Sequence, residues 1–270
     1  MDKKIVTYFG SCRIHEPLEI LENKGLISLN QPKYGYVHSS KEIIQEIKAI
    51  KEDIEIPANL FRFVVTRNKE DIDKIKVSRK HDLSNTNIFF VEISSLKLLR
   101  FKDYYLQINN LRRNLFADSN EFDRWFKAKE KSKGCFFEEE QKNIEADIAN
   151  DCLVSFQDEA EIKKDIKEIY SALKGINSVA DIIFVTHCSA LGKDGQSLKR
   201  RDDLIEFVER SASELGYNIF NPSKIMEDLG QSDALEKNGA ETNHFTAAFK
   251  EKISEELCGK FIKEIQEASL

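Results

Sequence analysis

The stretch Lys4-Ile5-Val6-Thr7-Tyr8-Phe9-Gly10-Ser11-Cys12 decides the expected fold of this chain. β-Branched and aromatic residues run almost without interruption to Phe9, which is typical of a strand that is buried on both faces. Gly10 allows the backbone to bend sharply, and Ser11 has the short polar side chain that caps helices. The stretch therefore predicts a first strand that passes through a tight turn into a helix.

Apolar runs of similar length recur along the chain and alternate with helical patterns. The four further runs are Phe61–Thr66, Asn87–Ile93, Asp181–Thr186 and Tyr217–Phe220. Strands that alternate with helices form parallel sheets, and their right-handed crossovers cover both faces. We therefore expect an α/β protein with a three-layer, doubly wound fold around a five-stranded parallel sheet.

Three helices can be placed by their caps and their apolar periodicity. Ser39–Ile50 begins with a capping sequence and continues with isoleucines on one face, which indicates an amphipathic helix. Asp202–Leu215 has the same periodicity and is followed by Gly216, a residue that commonly ends helices. A last helix, from about Thr246 to Glu267, carries an apolar residue at every fourth position along one stripe.

The segment from about Leu96 to Lys174 does not fit this alternation, because it is rich in charge and holds no convincing strand. Helical spacing is nevertheless present around Trp125 and again from Ile162 to Leu173. We interpret residues 1–270 as a single domain with a helical insertion at about residues 100–160, followed by a crossover helix. The insertion is either a solvated hairpin that supports a sheet edge, or a lid or self-association surface that would make a homo-oligomer.

Composition restricts the partners and the compartment. Lys and Arg number 41 against 47 Asp and Glu, so the chain lacks the basic excess of most nucleic-acid binders. No signal peptide is evident, and no apolar segment approaches the ~20 residues that span a bilayer. We therefore expect a cytoplasmic protein without a membrane span or a nucleic-acid partner. Its five cysteines are widely scattered, which argues against a disulfide framework and a structural zinc site.

In a parallel sheet, ligands bind beyond the carboxyl ends of the strands, so the residues that follow each strand are candidates for a site. Those positions hold small, polar and basic side chains. The candidates for binding a substrate or an oxyanion are Gly10, Arg13, His15, Ser94, Ser95 and His187. Another cluster, Glu241-Thr242-Asn243-His244, precedes the last helix, and all these clusters can converge on one crevice.

The first turn presents two side chains that could act as a nucleophile. A thiol at the position of Cys12 would lie at a helix N-terminus, where the dipole lowers a thiol pKa and unpaired N–H groups can hold an oxyanion. Ser11 offers a hydroxyl at the same turn. The alternative is that this turn only starts a helix, with Ser11 as its cap.

A nucleophile needs a base, and the base needs a group that orients it. Glu241 precedes His244 by three residues, a spacing that places both side chains on one side of a turn or of a first helical turn. A carboxylate there would fix the imidazole tautomer and stabilise the imidazolium. His15 and His187 compete with His244 for the role of base or for substrate binding.

Other kinds of chemistry have less support. His38 and His81 lie in polar connections, so we expect them at the surface. The histidines lack the spacing of metal ligands, and we expect no metal. Neither Gly-x-x-x-x-Gly-Lys nor Gly-x-Gly-x-x-Gly is present to bind nucleotide phosphates.

The first turn and the cluster before the last helix together resemble the SGNH (GDSL-like) hydrolases. Ile5–Cys12 is similar to that family's first block, a strand ending in Phe-Gly-Asp-Ser whose Ser is the nucleophile. Glu241-Thr242-Asn243-His244 is similar to its last block, Asp-x-x-His. The turn looks most like those of the GSCFA-type and the capsule-biosynthesis acetyltransferase-like variants.

Aligned without a gap, the resemblance implies that Cys12 is the nucleophile and that Ser11 replaces the family's Asp. It also implies that Glu241 and His244 are the acid and the base. The resemblance covers the sheet core and excludes the insertion. The family's Gly-x-Asn-Asp block has no counterpart, so Ser94 or Ser95 would have to supply the missing oxyanion donors.

The resemblance implies acyl-ester chemistry, either O-acyl (acetyl) transfer to a carbohydrate or hydrolysis of an acyl ester. A cytoplasmic location favours acetyl-coenzyme A as the acyl donor, with no cofactor bound permanently. Arg13 and the basic residues Lys199, Arg200 and Arg201 could meet the donor's phosphates. The alternative is a non-catalytic module that uses the SGNH scaffold to bind a nucleotide or a carbohydrate.

Overall fold

The computed structural model describes residues 3–30, 35–64, 83–131 and 144–263. Its strands are β1 (Lys4–Phe9), β2 (Ile27–Asn30), β3 (Ile88–Glu92), β4 (Lys97–Phe101), β5 (Tyr104–Tyr105), β6 (Leu153–Phe156), β7 (Asp181–Val185), β8 (Asn218–Phe220), β9 (Leu235–Glu236) and β10 (Glu241–Phe245). Its helices are α1 (Cys12–Asn23), α2 (Ser40–Ile50), α3 (Phe61–Val64), α4 (Ile108–Leu115), α5 (Ser119–Lys131), α6 (Ile144–Asp151), α7 (Glu159–Ile176), α8 (Lys199–Glu214), α9 (Ser223–Leu229), α10 (Gln231–Ala234) and α11 (Ala247–Leu257), which continues into a π-helical segment, Cys258–Lys263.

The main sheet has five strands in the order β2-β1-β3-β7-β8, and each neighbouring pair is parallel. Phe9 of β1 pairs with Val91 of β3, and Val91 pairs with Phe184 of β7. In this doubly wound order the winding changes direction between β1 and β3, and ligands bind at the carboxyl ends of the strands there. The expected α/β fold is confirmed, and its crevice lies beside the first turn.

One of the five strands differs from the prediction. The expected strand Phe61–Thr66 was wrong, because Phe61–Val64 form a short helix whose phenylalanines pack with the inserted segment, and residues 65–66 lie outside the described residues. The second strand is Ile27–Asn30, at the edge of the sheet. Only Ile27 is fully buried in it, so this strand lacks the continuous apolar run by which the others were predicted.

Helices cover both faces of the sheet, as the alternation predicted. On one face, Val6 and Phe90 pack with the apolar sides of α1 and α11. On the other face, Phe89 and Phe184 pack with α2, α7 and α8. Alternate residues of the same strand thus enter two separate cores, which explains why the strands are apolar along their whole length.

The predicted helices are present with small shifts at their ends. Ser39 caps α2 by accepting a hydrogen bond from the backbone N–H of Glu42. The helix α8 begins at Lys199, three residues before its predicted start, and Gly216 follows it with a φ of 71°. Thr246 caps α11, and the predicted last residues beyond Lys263 lie outside the described residues.

The inserted segment contains helices but also strands, so the expectation that it lacks strands was wrong. β4, β5 and β6 form a small antiparallel sheet in the order β5-β4-β6. Lys97–Phe101 is rich in residues that favour helices, and pairing with β6 overrides that local preference. The helices α4 to α6 gather around Trp125, which is fully buried and donates its indole N–H to the carbonyl of Ala149 (2.9 Å).

The crossover helix α7 returns the chain from the insertion to the main sheet. Its apolar stripe, Ile162, Ile166, Ile169 and Leu173, is completely buried, as predicted. Within the four described ranges, no helix combines the length and the apolar character that crossing a bilayer requires.

Candidate active site

The first turn brings β1 into contact with the end of β3. A Cβ atom at Gly10 would lie 2.7 Å from Cβ and 2.8 Å from Oε2 of Glu92, and 2.8 Å from a methyl group of Ile14. Real Cβ atoms do not approach other atoms so closely. Glycine is therefore required here by the close approach of Glu92 to the backbone.

Glu92 is the last residue of β3 and binds the turn through three hydrogen bonds. Its Oε2 accepts from the backbone N–H of Ser11 (2.6 Å) and from the Ser11 hydroxyl (2.7 Å), and its Oε1 accepts from Nε of Arg13 (2.9 Å). The Ser11 hydroxyl also accepts a hydrogen bond from the backbone N–H of Arg13, as the helix cap does. Ser11 is thus a structural residue whose hydroxyl is already occupied.

The buried carboxyl of Glu92 is held in its charged form. Burial acts to raise its pKa, but the charge of Arg13 and the hydrogen bonds from Arg13 and Ser11 outweigh that effect and lower the pKa overall. Sequence reasoning missed this residue. The available indication was a single acidic residue inside an otherwise apolar run, because an acid is rarely buried without a partner.

Cys12 is the first residue of α1 and stands at the carboxyl end of β1, half-buried. Among the described residues its thiol has no hydrogen-bond partner. Burial raises the pKa of the Cys12 thiol, and the nearby charge of Arg13 opposes the shift only in part. The expectation of a lowered pKa from the helix dipole was therefore wrong, and a base is needed to make the thiolate.

His38 lies in the crevice and not at the surface, which corrects the prediction; His81 lies outside the described residues. Nδ1 of His38 is 3.3 Å from the Ser94 hydroxyl, and Nε2 of His38 is 3.3 Å from the Asn109 side-chain amide. Burial lowers the pKa of His38 to about 4, so the ring is neutral and accepts from Asn109. Asn109 belongs to α4, so the inserted segment contributes a residue to this crevice.

Ser94 and Ser95 follow β3 as predicted, and both backbone N–H groups donate to the carbonyl of His38 (2.8 and 3.0 Å). These two N–H groups are therefore occupied and are not open donors for an oxyanion. The Ser95 hydroxyl accepts a hydrogen bond from the backbone N–H of Lys97. The Ser94 hydroxyl, in contrast, lies beside the ring of His38.

His187 follows β7 and is almost completely buried. Its Nδ1 donates to the carbonyl of Cys188 (3.1 Å), and its Nε2 is buried without a partner among the described residues. Burial lowers the pKa of His187 well below its ordinary value, and the charges of Arg13 and Arg201 lower it further. His187 is thus a neutral ring at the carboxyl edge, within electrostatic reach of two arginines.

The cluster before the last helix forms a strand, β10, so the predicted turn or helical spacing of Glu241 and His244 was wrong. Glu241 faces Lys237 (3.8 Å), and within the described part of the chain it shares no hydrogen bond or ion pair with His244. His244 is exposed. The structure therefore brings His244 to the start of α11 without the carboxylate partner that the sequence suggested.

β10 is tied to the crevice by Arg201. The Arg201 guanidinium donates to the Thr242 carbonyl (2.9 Å) and to the Asn243 side chain (3.1 Å). Phe245, the last residue of β10, lies edge-on against the ring of His187, with 6.2 Å between the ring centroids. Lys250 of α11 forms an ion pair with Glu16 of α1 (2.7 Å), which holds the beginnings of these two helices together.

The basic residues expected to meet a donor's phosphates do not form one patch. Arg200 pairs with Glu130 (2.6 Å) and stacks on Phe156, so it anchors the inserted segment. Lys199 is exposed, whereas Arg201 turns toward β10. His15 contacts the Tyr36 hydroxyl (2.9 Å) and stacks on Tyr8, one helical turn after Cys12.

Comparisons with known proteins identify the family of this chain. A family model described as the TviD N-terminal domain matches residues 4–260. The Vi polysaccharide biosynthesis protein TviD of Salmonella typhi is 29% identical over an alignment of 265 residues that covers 92% of this chain. This chain spans only 30% of the length of that relative. The resemblance of the chain to capsule-biosynthesis proteins is thereby confirmed.

Solved structures of a lipase/acylhydrolase and of two esterases match nearly the whole chain at low identity. A lipase/acylhydrolase from Enterococcus faecalis is 11% identical, with a TM-score of 0.41, over 95% of this chain and 96% of that one. An acetyl xylan esterase from Geobacillus stearothermophilus is 11% identical, with a TM-score of 0.41, over 95% of this chain and 93% of that one. A family 3 carbohydrate esterase from Clostridium thermocellum is 9% identical, with a TM-score of 0.41, over 99% of both chains.

Proposed function

This chain belongs to the TviD N-terminal domain family, and we propose that it performs acyl-ester chemistry through a covalent intermediate on Cys12. The observation that carries the proposal is the division of roles at the first turn. Glu92 occupies the Ser11 hydroxyl (2.7 Å), whereas the Cys12 thiol of the same turn has no hydrogen-bond partner among the described residues. Of the two candidate nucleophiles, the thiol is the one free to react.

In the proposed reaction, Cys12 Sγ attacks the acyl carbonyl and His244 accepts the thiol proton. The carbon–oxygen or carbon–sulfur bond to the leaving group breaks, and the leaving group takes that proton. A hydroxyl of the acceptor or a water molecule then attacks the thioester, and the thiol is regenerated. Because burial raises the pKa of Cys12, the base is essential in this scheme.

The location of His244 supports its role as the base. It lies two residues before the cap of α11, and α11 is held against α1 by the ion pair of Lys250 with Glu16. Cys12 begins α1 and is within electrostatic range of Lys250. Glu241 would orient His244 only after β10 rearranges. Of the three members of the proposed triad, Glu241 therefore has the least structural support.

A carbohydrate acceptor is the substrate class that we favour. The relative in Salmonella typhi is named for polysaccharide biosynthesis, which supports transfer of an acyl group to a sugar hydroxyl. Acetyl-coenzyme A is the donor we propose. Transfer to a sugar and hydrolysis share the same first half-reaction, so the acyl-enzyme is the species to detect.

Intact-protein mass spectrometry after exposure to acetyl-coenzyme A or p-nitrophenyl acetate tests the proposal. We expect one acetyl group on Cys12, no adduct in Cys12→Ala, and an unchanged adduct in Cys258→Ala, a matched loss of another buried thiol. His244→Ala should slow adduct formation by about 10²–10⁴-fold, and His15→Ala should not. An adduct that persists in Cys12→Ala would overturn the assignment.

A second candidate function is a non-catalytic binding module, and the pairing of Glu241 with Lys237 in place of His244 favours it. This candidate predicts that no adduct forms on any residue. It also predicts that a carbohydrate or nucleotide raises the melting temperature of the chain. The same mass spectra therefore separate the two functions.

A further inference from the structure

The crevice contains two arginines whose hydrogen bonds leave some of their donors unused. The side chain of Arg13 is only 10% exposed, and its Nε donates to Glu92 (2.9 Å). Its two terminal nitrogens have no partner among the described residues. A guanidinium withdrawn from water with an open planar fork is suited to bidentate binding of a carboxylate or a phosphate.

Arg201 is the second arginine, and both of its terminal nitrogens donate to neutral partners. It donates to the Thr242 carbonyl (2.9 Å) and to the Asn243 side chain (3.1 Å), and in the described part of the chain no carboxylate lies within ion-pair distance of it. Asp202, the neighbouring acid, instead accepts a hydrogen bond from Ser189 (2.8 Å). Burial lowers the pKa of Arg201, the positive charge of Arg13 contributes to the shift, and the resulting pKa is about 10.

His187 is within electrostatic reach of both arginines. It packs against Phe245, the residue that ends the strand held by Arg201, and both arginines act on its ring electrostatically. Its Nε2 is buried and lacks a partner among the described residues. Thr186, next to it, likewise has a buried hydroxyl without a partner and lines a small cavity together with Arg13 and Glu92.

We propose that Arg13, Arg201 and His187 together form a subsite for a small oxyanion, either a carboxylate or a phosphate, carried by the substrate. The anion would fill the open fork of Arg13 and give Arg201 the negative partner that it lacks. Its charge would also raise the pKa of His187, so that Nε2 gains a proton and donates to the anion. Binding of the anion is then coupled to uptake of a proton.

This inference rests on the proposed function for its placement beside Cys12, and two sources of the anion are compatible with it. The first source is the carboxylate of an acidic sugar in the acceptor. The second is a phosphate of the acyl donor. Calorimetric titrations at constant ionic strength distinguish the two sources. A hexuronate compared with its neutral hexose tests the sugar carboxylate, and adenosine 3′,5′-bisphosphate compared with adenosine tests the donor phosphate. Inorganic phosphate is the simplest probe of the subsite.

We expect the full chain to bind inorganic phosphate, and to prefer one of the charged compounds to its neutral counterpart. Arg201→Gln should weaken this binding by about tenfold or more, because a hydrogen-bonded charge is lost. Arg200→Gln, one residue away on the same helix, removes an equal charge that pairs with Glu130, and should leave the affinity unchanged. Affinity for the anion should increase as the pH falls toward the range in which His187 protonates.

Several results would overturn the subsite: no binding of any anion, equal binding of the charged and neutral compounds, or equal loss in the Arg201→Gln and Arg200→Gln variants. If Arg201→Gln unfolds, Arg201→Lys decides, because it keeps the charge but loses the fork and should bind more weakly than the original chain. Cys12→Ala should keep the anion affinity. Loss of the acyl adduct with retained anion binding would therefore contradict only the proposed function, and the reverse result would contradict only the subsite.

Discussion

The carboxylate of Glu92 accepts the Ser11 hydroxyl at 2.7 Å, and this bond makes the serine of the first turn part of the scaffold. The same carboxylate holds Arg13 at 2.9 Å. One buried acid thus fixes the backbone entry into α1 and the orientation of the arginine beside Cys12.

Replacing Glu92 should be strongly destabilising. Glu92→Ala leaves the Arg13 guanidinium in a nearly buried site without its partner, a change that typically costs about 3–5 kcal/mol of unfolding free energy. Urea unfolding measures the loss. Glu168→Ala, which removes the exposed partner of Lys48, is the control and should change stability little. A small effect of Glu92→Ala would show that the turn is held by other contacts.

Ser11→Ala should destabilise the chain without preventing acylation. Loss of an N-cap serine costs about 1 kcal/mol, and removal of the Ser11 hydroxyl also takes one hydrogen bond from Glu92. Ser39→Ala removes the equivalent cap of α2 and is the matched control. Both variants should still form the acetyl adduct in the mass spectrum. Loss of the adduct in Ser11→Ala alone would make the serine the nucleophile.

Gly10→Ala and Gly175→Ala should have opposite effects on stability. A methyl group at Gly10 would meet Glu92 and Ile14 at less than 3 Å, and such overpacking typically costs about 1–3 kcal/mol. Gly175 lies near the end of α7, and no atom of the described residues comes within 4 Å of a Cβ added there, so alanine should stabilise the helix by about 0.5–1 kcal/mol. Thermal unfolding of both variants tests the contrast, which equal shifts would contradict.

The acidic residues of α2 should make stability fall as the pH rises. Burial raises the pKa of Glu42 from 4.5 to about 7, against the hydrogen bonds from His38 and Ser39 that oppose the shift. The folded chain therefore binds more protons than the unfolded chain in this range, and the stability present below pH 4.5 is lost as the pH rises through about 7. Glu46, one turn later, is buried with both oxygens unpartnered among the described residues, and its raised pKa acts in the same direction.

Glu42→Gln should flatten that pH dependence. The unfolding free energy of the Glu42→Gln variant, measured in urea from pH 4.5 to pH 8, should decrease less with rising pH than that of the original chain. Glu168→Gln changes an exposed acid on α7 and should leave the dependence intact. An identical slope for Glu42→Gln and the original chain would show that the Glu42 carboxyl does not titrate in this range.

The sequence was most informative where local pattern and burial coincide. β1, β3 and β7 are buried on both faces, so their apolar runs are continuous and were predicted. β2 is an edge strand with one fully buried residue, and β4 is built from residues that favour helices, so pairing with distant strands decides both. Such pairing partners are invisible to a local pattern.

The site was predictable only in part for the same reason. The turn at Gly10 and the nucleophile candidates are encoded locally, and so is the Ser11 cap. Glu92, Asn109 and Arg201 reach the crevice from β3, the inserted segment and α8, and only the tertiary fold brings them together. The pairing expected for Glu241 and His244 required a turn or a helix, in which residues three apart share one side. These residues lie in the strand β10 instead, so the pairing does not form.

The position of the inserted segment has a consequence for how relatives can diverge. The chain leaves the main sheet at β3 and returns at β7, and these two strands are direct neighbours, with Val91 opposite Phe184. A segment that departs and re-enters at adjacent strands can grow, shrink or be exchanged over evolution while the strand order stays the same. Because Asn109 reaches the crevice from that segment, such exchanges would change the group that lies beside His38 without altering the turn that carries Cys12.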